Sequence, residues 1–128
     1  MSATLIAQTV AASHAESLLE RLRLAGICIP RPAEVRDYVT RFPDIIPVVR
    51  QASAAAVAEF GAKAEFSLEL YVDPEIADLH LMLYVRQEPF DPASWPGFER
   101  VQTSYADALA ELAGWLRVGP DFRAANRR

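Results

Sequence analysis

The chain has 128 residues, thirteen Lys or Arg against seventeen Asp or Glu, a net charge of −4 and 52% apolar residues. That length suits one domain that buries about two-thirds of its unfolded surface, and the apolar content excludes wholesale disorder. Net negative charge argues against generic polyanion binding, which needs clustered cations.

The charge is uneven: residues 1–64 carry seven cations and six acids, residues 65–128 six cations and eleven acids. Twelve of the cations are Arg and only Lys63 is lysine, a bias that GC-rich coding explains without selection for guanidinium chemistry. Cys28 is the single cysteine, so no internal disulfide forms and a reducing cytoplasm is the expected location. The N-terminus lacks a basic segment ahead of its apolar residues, unlike a signal peptide. No apolar run reaches the roughly 20 residues of a membrane span. The expectation is a cytoplasmic protein without membrane association.

In chain order, "SHAE" at 13–16 fits a capping box, with Leu18, Leu19, Leu22 and Ala25 on one face of a first helix and Gly26 as its stop. Residues 3–12 fit either an extension of this helix or a strand. "ICIPRP" is extended, because each Pro pushes its predecessor out of the helical region, and Pro32 can open a second helix. Val35, Tyr38, Val39 and Phe42 give that helix a buried stripe. Asp44 is the expected cap of a third helix, with Pro47 in its first turn and Gly61 at its end. The helix's "QASAAAVAEF" is rich in small residues, which would let another helix approach closely.

Two alternating segments follow. In "AEFSLELYV" Phe66, Leu68, Leu70 and Val72 point one way, and in "LHLMLYVR" Leu79, Leu81, Leu83 and Val85 supply the matching face. "DPEIAD" links them as a turn, so an antiparallel hairpin is expected. Pairing Val72 with Leu79 puts Tyr71 opposite His80, Glu69 opposite Met82, Ser67 opposite Tyr84 and Glu65 opposite Arg86. The last pair has opposite charges and supports that register. Phe98, Val101, Tyr105, Ala108, Leu109 and Leu112 then trace an amphipathic helix, and "WLRV" reads as a third strand with Trp115 and Arg117 outward. The expected fold is α+β, in the order ααα-ββ-α-β, over residues 1–122, with 123–128 a fraying basic tail. A third strand parallel to the second would make the intervening helix a crossover.

The outward sheet face is the leading candidate surface, with His80, Met82, Tyr84, Arg86, Trp115 and Arg117 as partner-binding residues. Aromatics flanked by Arg can stack bases, but Glu65 and Glu69 sit beside them and no RNP signature is present. A face covered by the chain's own helices or by a twin subunit accounts for Met and Tyr more simply. Asp73, Glu75 and Asp78 form a weaker metal candidate for a hard cation, set against the plainer reading of a solvated turn. His14 is expected to be exposed, and Cys28 a small buried side chain rather than a nucleophile. There is no Gly-rich phosphate loop, GxSxG elbow or HExxH pair. No catalytic residue and no cofactor are assigned.

"LMLYVRQ" followed by "GWLRVGPDFR" resembles a family of small bacterial proteins with an LxLYVRQ strand and a C-terminal GWLxVxxDF segment. The resemblance implies no activity. It implies that Tyr84, Arg86, Gln87, Gly114, Trp115, Asp121 and Phe122 belong to one constellation, with the second strand beside the C-terminal segment. The expected function is a non-enzymatic protein-interaction module, a homodimer or the antitoxin-like or accessory subunit of a bacterial operon. The alternatives are a nucleic-acid-binding regulator using the outer sheet face and a metal-dependent hydrolase at the acidic turn.

Overall fold

A computed structural model describes residues 3–61, 63–75 and 78–123. The chain is α+β, and its described residues form four α-helices and a four-stranded mixed sheet. Helix α1 spans Ala3–Leu24 and leads to the short strand β1, Ile27–Cys28. Helix α2 covers Pro32–Arg41, and a 3-10 turn at Pro43–Ile45 runs into α3, Ile46–Phe60. The hairpin strands are β2, Glu65–Asp73, and β3, Asp78–Arg86. A second 3-10 turn at Pro92–Ser94 precedes α4, Trp95–Leu109, and β4, Leu116–Pro120.

The strand order is β1-β2-β3-β4, with β1 parallel to β2, β2 antiparallel to β3, and β3 parallel to β4. The hairpin register is the expected one, from Glu65 opposite Arg86 to Val72 opposite Leu79. Alternation of period two explains this, since a one-residue slip would turn every buried leucine to the outside. Phe66, Leu68, Leu81, Leu83, Val85, Leu116 and Val118 form the inner face of the sheet. They join Leu18, Leu22, Val35, Val49, Val101 and Tyr105 from the helices in one core. Each such side chain contributes about 1.5–3 kcal/mol on burial.

Several expectations are corrected. The sheet has a fourth strand, because "IC" pairs with Phe66 and Ser67; two residues are too short for any period to reveal. Helix α1 begins at Ala3, so Ser13 lies inside it and caps nothing; no Gly or Pro interrupts residues 3–12 to end a helix there. Asp44 does not cap α3, which starts at Ile46 without a side-chain cap. The preceding 3-10 turn already occupies the early amides: Ile45 donates to Phe42 at 3.1 Å and Ile46 to Pro43. Asp44 instead accepts the Ala113 amide at 3.2 Å. Helix α4 ends at Leu109, leaving Leu112 half-buried in the following loop.

Gly26 has φ +91° and Gly61 φ +70°, which is why glycine follows α1 and α3. Gly114 serves by size: a Cβ there would lie 3.0 Å from Ile45 Cδ1 and 3.1 Å from Phe42 Cβ. That close approach seats the loop before β4 against α2 and the first 3-10 turn.

Candidate functional site

Alternation along β2, β3 and β4 sends Ser67, Glu69, Tyr71, His80, Met82, Tyr84, Arg86 and Arg117 to the face away from the helices. Met82 lies beside Arg117 and Tyr84 beside Gly119 in the register. A Cβ on Gly119 would come within 2.8 Å of Met82 Cε, so glycine leaves the room that Met82 fills. Trp115 falls at the hairpin-turn end of the sheet. Its carbonyl accepts the Leu81 amide at 2.9 Å, and its amide donates to the Tyr38 hydroxyl at 2.9 Å.

The centre of this face is closed by the C-terminal segment. The Asp121 amide donates to the Val85 carbonyl at 2.9 Å, continuing past β4, and Asp121 Oδ1 accepts the Arg123 amide at 2.9 Å to form a turn. That turn carries the Arg123 guanidinium over the Tyr84 ring, 4.0 Å from its centroid. Arg123 donates to both carboxylate oxygens of Glu69 at 3.1 and 2.7 Å, and to Asp121 Oδ1 at 2.9 Å. The Ser67 hydroxyl donates to the same Glu69 carboxylate at 2.8 Å. Burial opposes the charge on Arg123, but hydrogen bonds to Glu69 and Asp121 outweigh it and raise its pKa further above the usual arginine value. Burial likewise pushes the Tyr84 hydroxyl pKa up, against the lowering effect of Arg123.

Arg123, the last described residue, is held by two carboxylates and an aromatic ring. Phe122 meets Phe90 edge-on at 4.9 Å, on the other side of the same turn. Residues 124–128, which include the remaining arginines of the expected tail, lie outside the described residues. Glu69, Asp121 and Arg123 are the residues that sequence reasoning missed as a site. The short spacing of Asp121 and Arg123 was the available signal, while Glu69 is 54 residues from Arg123 and gave none.

At the other end, His80 is buried beneath Tyr71, the rings stacked at 4.9 Å. Its Nδ1 is 3.3 Å from Asp78 Oδ2 but out of line for a hydrogen bond. Arg86 lies between Glu65, at 2.9 Å, and Glu88, with its side chain 11% exposed. The two guanidiniums of the central platform are thus neutralised by carboxylates, and Arg117 is exposed at its side.

Beyond His80 the surface becomes apolar. Tyr71, Val72, Leu79 and Trp115 are 40%, 55%, 42% and 47% exposed. Val72 and Leu79 form a cross-strand pair on the helix-facing side, yet the hairpin outruns the helical layer and leaves them in solvent.

The acidic turn does not gather its carboxylates. Asp73 Oδ1 accepts the Glu75 amide at 2.9 Å, and Asp78 leans on His80. Ile76 and Ala77 in this turn lie outside the described residues. Among the described residues, no group of three His, Cys, Asp or Glu side chains is placed to hold a metal ion. His14 is exposed and Cys28 half-buried, opposite Ser67. Among the described residues no helix is long and apolar enough to cross a membrane.

The strand and C-terminal segment named by the sequence resemblance lie side by side, as β3 and β4. The residues that the resemblance groups divide between two places: Tyr84 and Asp121 meet Arg123, whereas Gly114 and Trp115 sit at the opposite end. No protein-family model matches the chain, and no curated protein or solved structure shows significant similarity to it.

Proposed function

We propose that the chain is a non-enzymatic protein-interaction module, of the antitoxin-like or accessory-subunit kind, that receives its partner at the hairpin end of the sheet. The observation that carries this reading is the exposure at that end of Tyr71 on the outer face, of Val72 and Leu79 on the helix-facing side, and of Trp115. Aromatic and aliphatic side chains of this kind offer contact area to a partner that grips the end of the hairpin. Each keeps 40–55% of its surface in water. The neighbouring His80, Ser67 and Tyr84 are already packed, so the partner meets a firm surface.

The same geometry weakens the nucleic-acid reading. Phosphate binding needs cations free to shed counterions, and Arg86 and Arg123 are occupied by acids of the chain itself. The test is retrieval from the host by a tagged chain, beside Val72→Glu and Trp115→Ser variants. A stoichiometric protein retained by wild type and lost from both variants supports the proposal. Retrieval of nucleic acid instead, or of no stoichiometric protein, overturns it.

A further inference from the structure

We infer that two copies of the chain pair through α1 in antiparallel fashion, each laying the N-terminal half of α1 into the groove between α1 and α3 of the other. This interface is separate from the hairpin end and stands or falls without it.

The groove is an open cavity of about 880 Å³ between the last turns of α1 and the small-residue side of α3. Leu22, Leu24 and Ala25 form one bank, and Ala54, Val57 and Ala58 the other. Leu24 is 79% exposed at its lip. Alanines on α3 let a helix backbone come close, as small residues do wherever helices pack tightly.

The same helix carries a segment suited to that groove. Among the described side chains of α1 Ala15 is the first that is buried, and Ile6 and Val10 before it are 51% and 46% exposed. The sequence from 3 to 12, "ATLIAQTVAA", has no charged residue. A ten-residue helix of this kind is marginal in water on its own, and a polar outer surface is what a free helix would carry. Ile6 and Val10 also point the right way. Ile6, Val10, Ser17 and Leu24 follow at steps of four, seven and seven, so they share one face of α1. Leu24 on that face is a groove wall residue.

A two-fold axis across the middle of α1 satisfies both features in one operation, as an isologous interface requires. Placing Ile6 of one copy against Leu24 and Ala58 of the other sets Arg21 against Thr9, so no like charges meet along the stripe. Each docked half-helix is ~15 Å long and ~10 Å wide. Two such contacts bury on the order of 1,000 Å² in total, at the lower edge of specific interfaces. Arg21 and Arg50 stay at the rim, where an acidic helix from another protein is the competing occupant.

Sedimentation equilibrium on the full chain tests this, with twice the 14.2 kDa chain mass expected. Ile6→Glu and Ala58→Arg change exposed positions and should each give a monomer with an unchanged circular dichroism spectrum. Mixing the two should restore the dimer, because one docking site is intact and the other joins the introduced carboxylate to the introduced guanidinium. In a Cys28→Ser background, Ile6→Cys with Leu24→Cys should oxidise to a covalent dimer. Within one chain these positions are ~27 Å apart along the helix, too far for an internal disulfide. A wild type that sediments at 14.2 kDa up to ~1 mM overturns the inference and leaves the groove to an acidic helix of another protein. A dimer that survives both substitutions, or fails to cross-link, overturns it too. Partner retrieval through Trp115 is unaffected by these variants, so the two proposals fail separately.

Discussion

Replacing Arg123 by methionine should destabilise the domain by about 2 kcal/mol, although the residue lies almost at the chain terminus. Methionine keeps much of the apolar cover over Tyr84 and removes every donor. Glu69 and Asp121 would be left with side chains only 15% and 4% exposed and no guanidinium between them. Breaking a fully buried ion pair from one side costs about 3–5 kcal/mol. Here the full figure does not apply, because Arg123 itself is 37% exposed and Ser67 still donates to Glu69. Water and that hydroxyl recover part of the loss, which leaves about 2 kcal/mol, or about 6–10 °C in Tm for a chain of this length. Urea unfolding at neutral pH measures it directly. Glu69→Gln in the same background completes a double-mutant cycle, with a coupling of at least about 1 kcal/mol expected. A loss below about 0.5 kcal/mol, or strict additivity with Glu69→Gln, would show that Arg123 makes only a surface ion pair and that the sheet centre is open after all.

Other outcomes follow from the same packing. Gly114→Ala should cost about 1–2 kcal/mol, because the new methyl meets Ile45 and the Phe42 Cβ at 3.0–3.1 Å. Gly119→Ala should cost less, since only the swinging end of Met82 stands in its way; the reverse order in chemical denaturation would contradict this. Burial pushes the Tyr105 hydroxyl up to about 12, against the lowering effect of a hydrogen bond from the Val118 backbone. A raised folded-state pKa means its contribution is whole below about pH 10 and is lost between about 10 and 12, up to roughly 2–3 kcal/mol. Tyr105→Phe should flatten that alkaline fall in stability, and an unchanged profile would disprove the assignment. Leu83→Ala should lose about 2–5 kcal/mol, whereas Val72→Ser, at a position 55% exposed, should lose under about 1 kcal/mol. Thermal unfolding of the pair separates a core position from one free to serve a partner.

The parts of the fold that could be read from the sequence are those where the period and the chemistry agree. Leucines at every second position fixed the hairpin register, and the Glu65–Arg86 pair falls where the charges suggested. Helix α2 starts at Pro32, and Gly26 and Gly61 end α1 and α3, because these residues act through their own backbone. The misses share a cause. Ser13 and Asp44 carry capping chemistry, but whether a side chain caps depends on whether a helix already runs past it or a 3-10 turn already uses the amides. Strand β1 exists only because β2 is there to pair with it. Arg123 illustrates the same limit at the site: its partner Glu69 is on another strand, and no local pattern joins them.

That clamp changes where function should be sought. Aromatic and arginine side chains on an uncovered sheet face suggest a binding platform, but here Arg86 and Arg123 spend their charge on Glu65, Glu88, Glu69 and Asp121. The face that looked most chemical is the one most occupied by its own chain. Among the described residues, exposed large apolar side chains lie at the hairpin end around Val72, Leu79 and Trp115, along α1 at Ile6, Val10 and Leu24, and at Trp95 and Phe122. Both proposed contacts draw on apolar surface left in water, at the hairpin end and along α1, and the Trp115 and Ile6 variants test them separately.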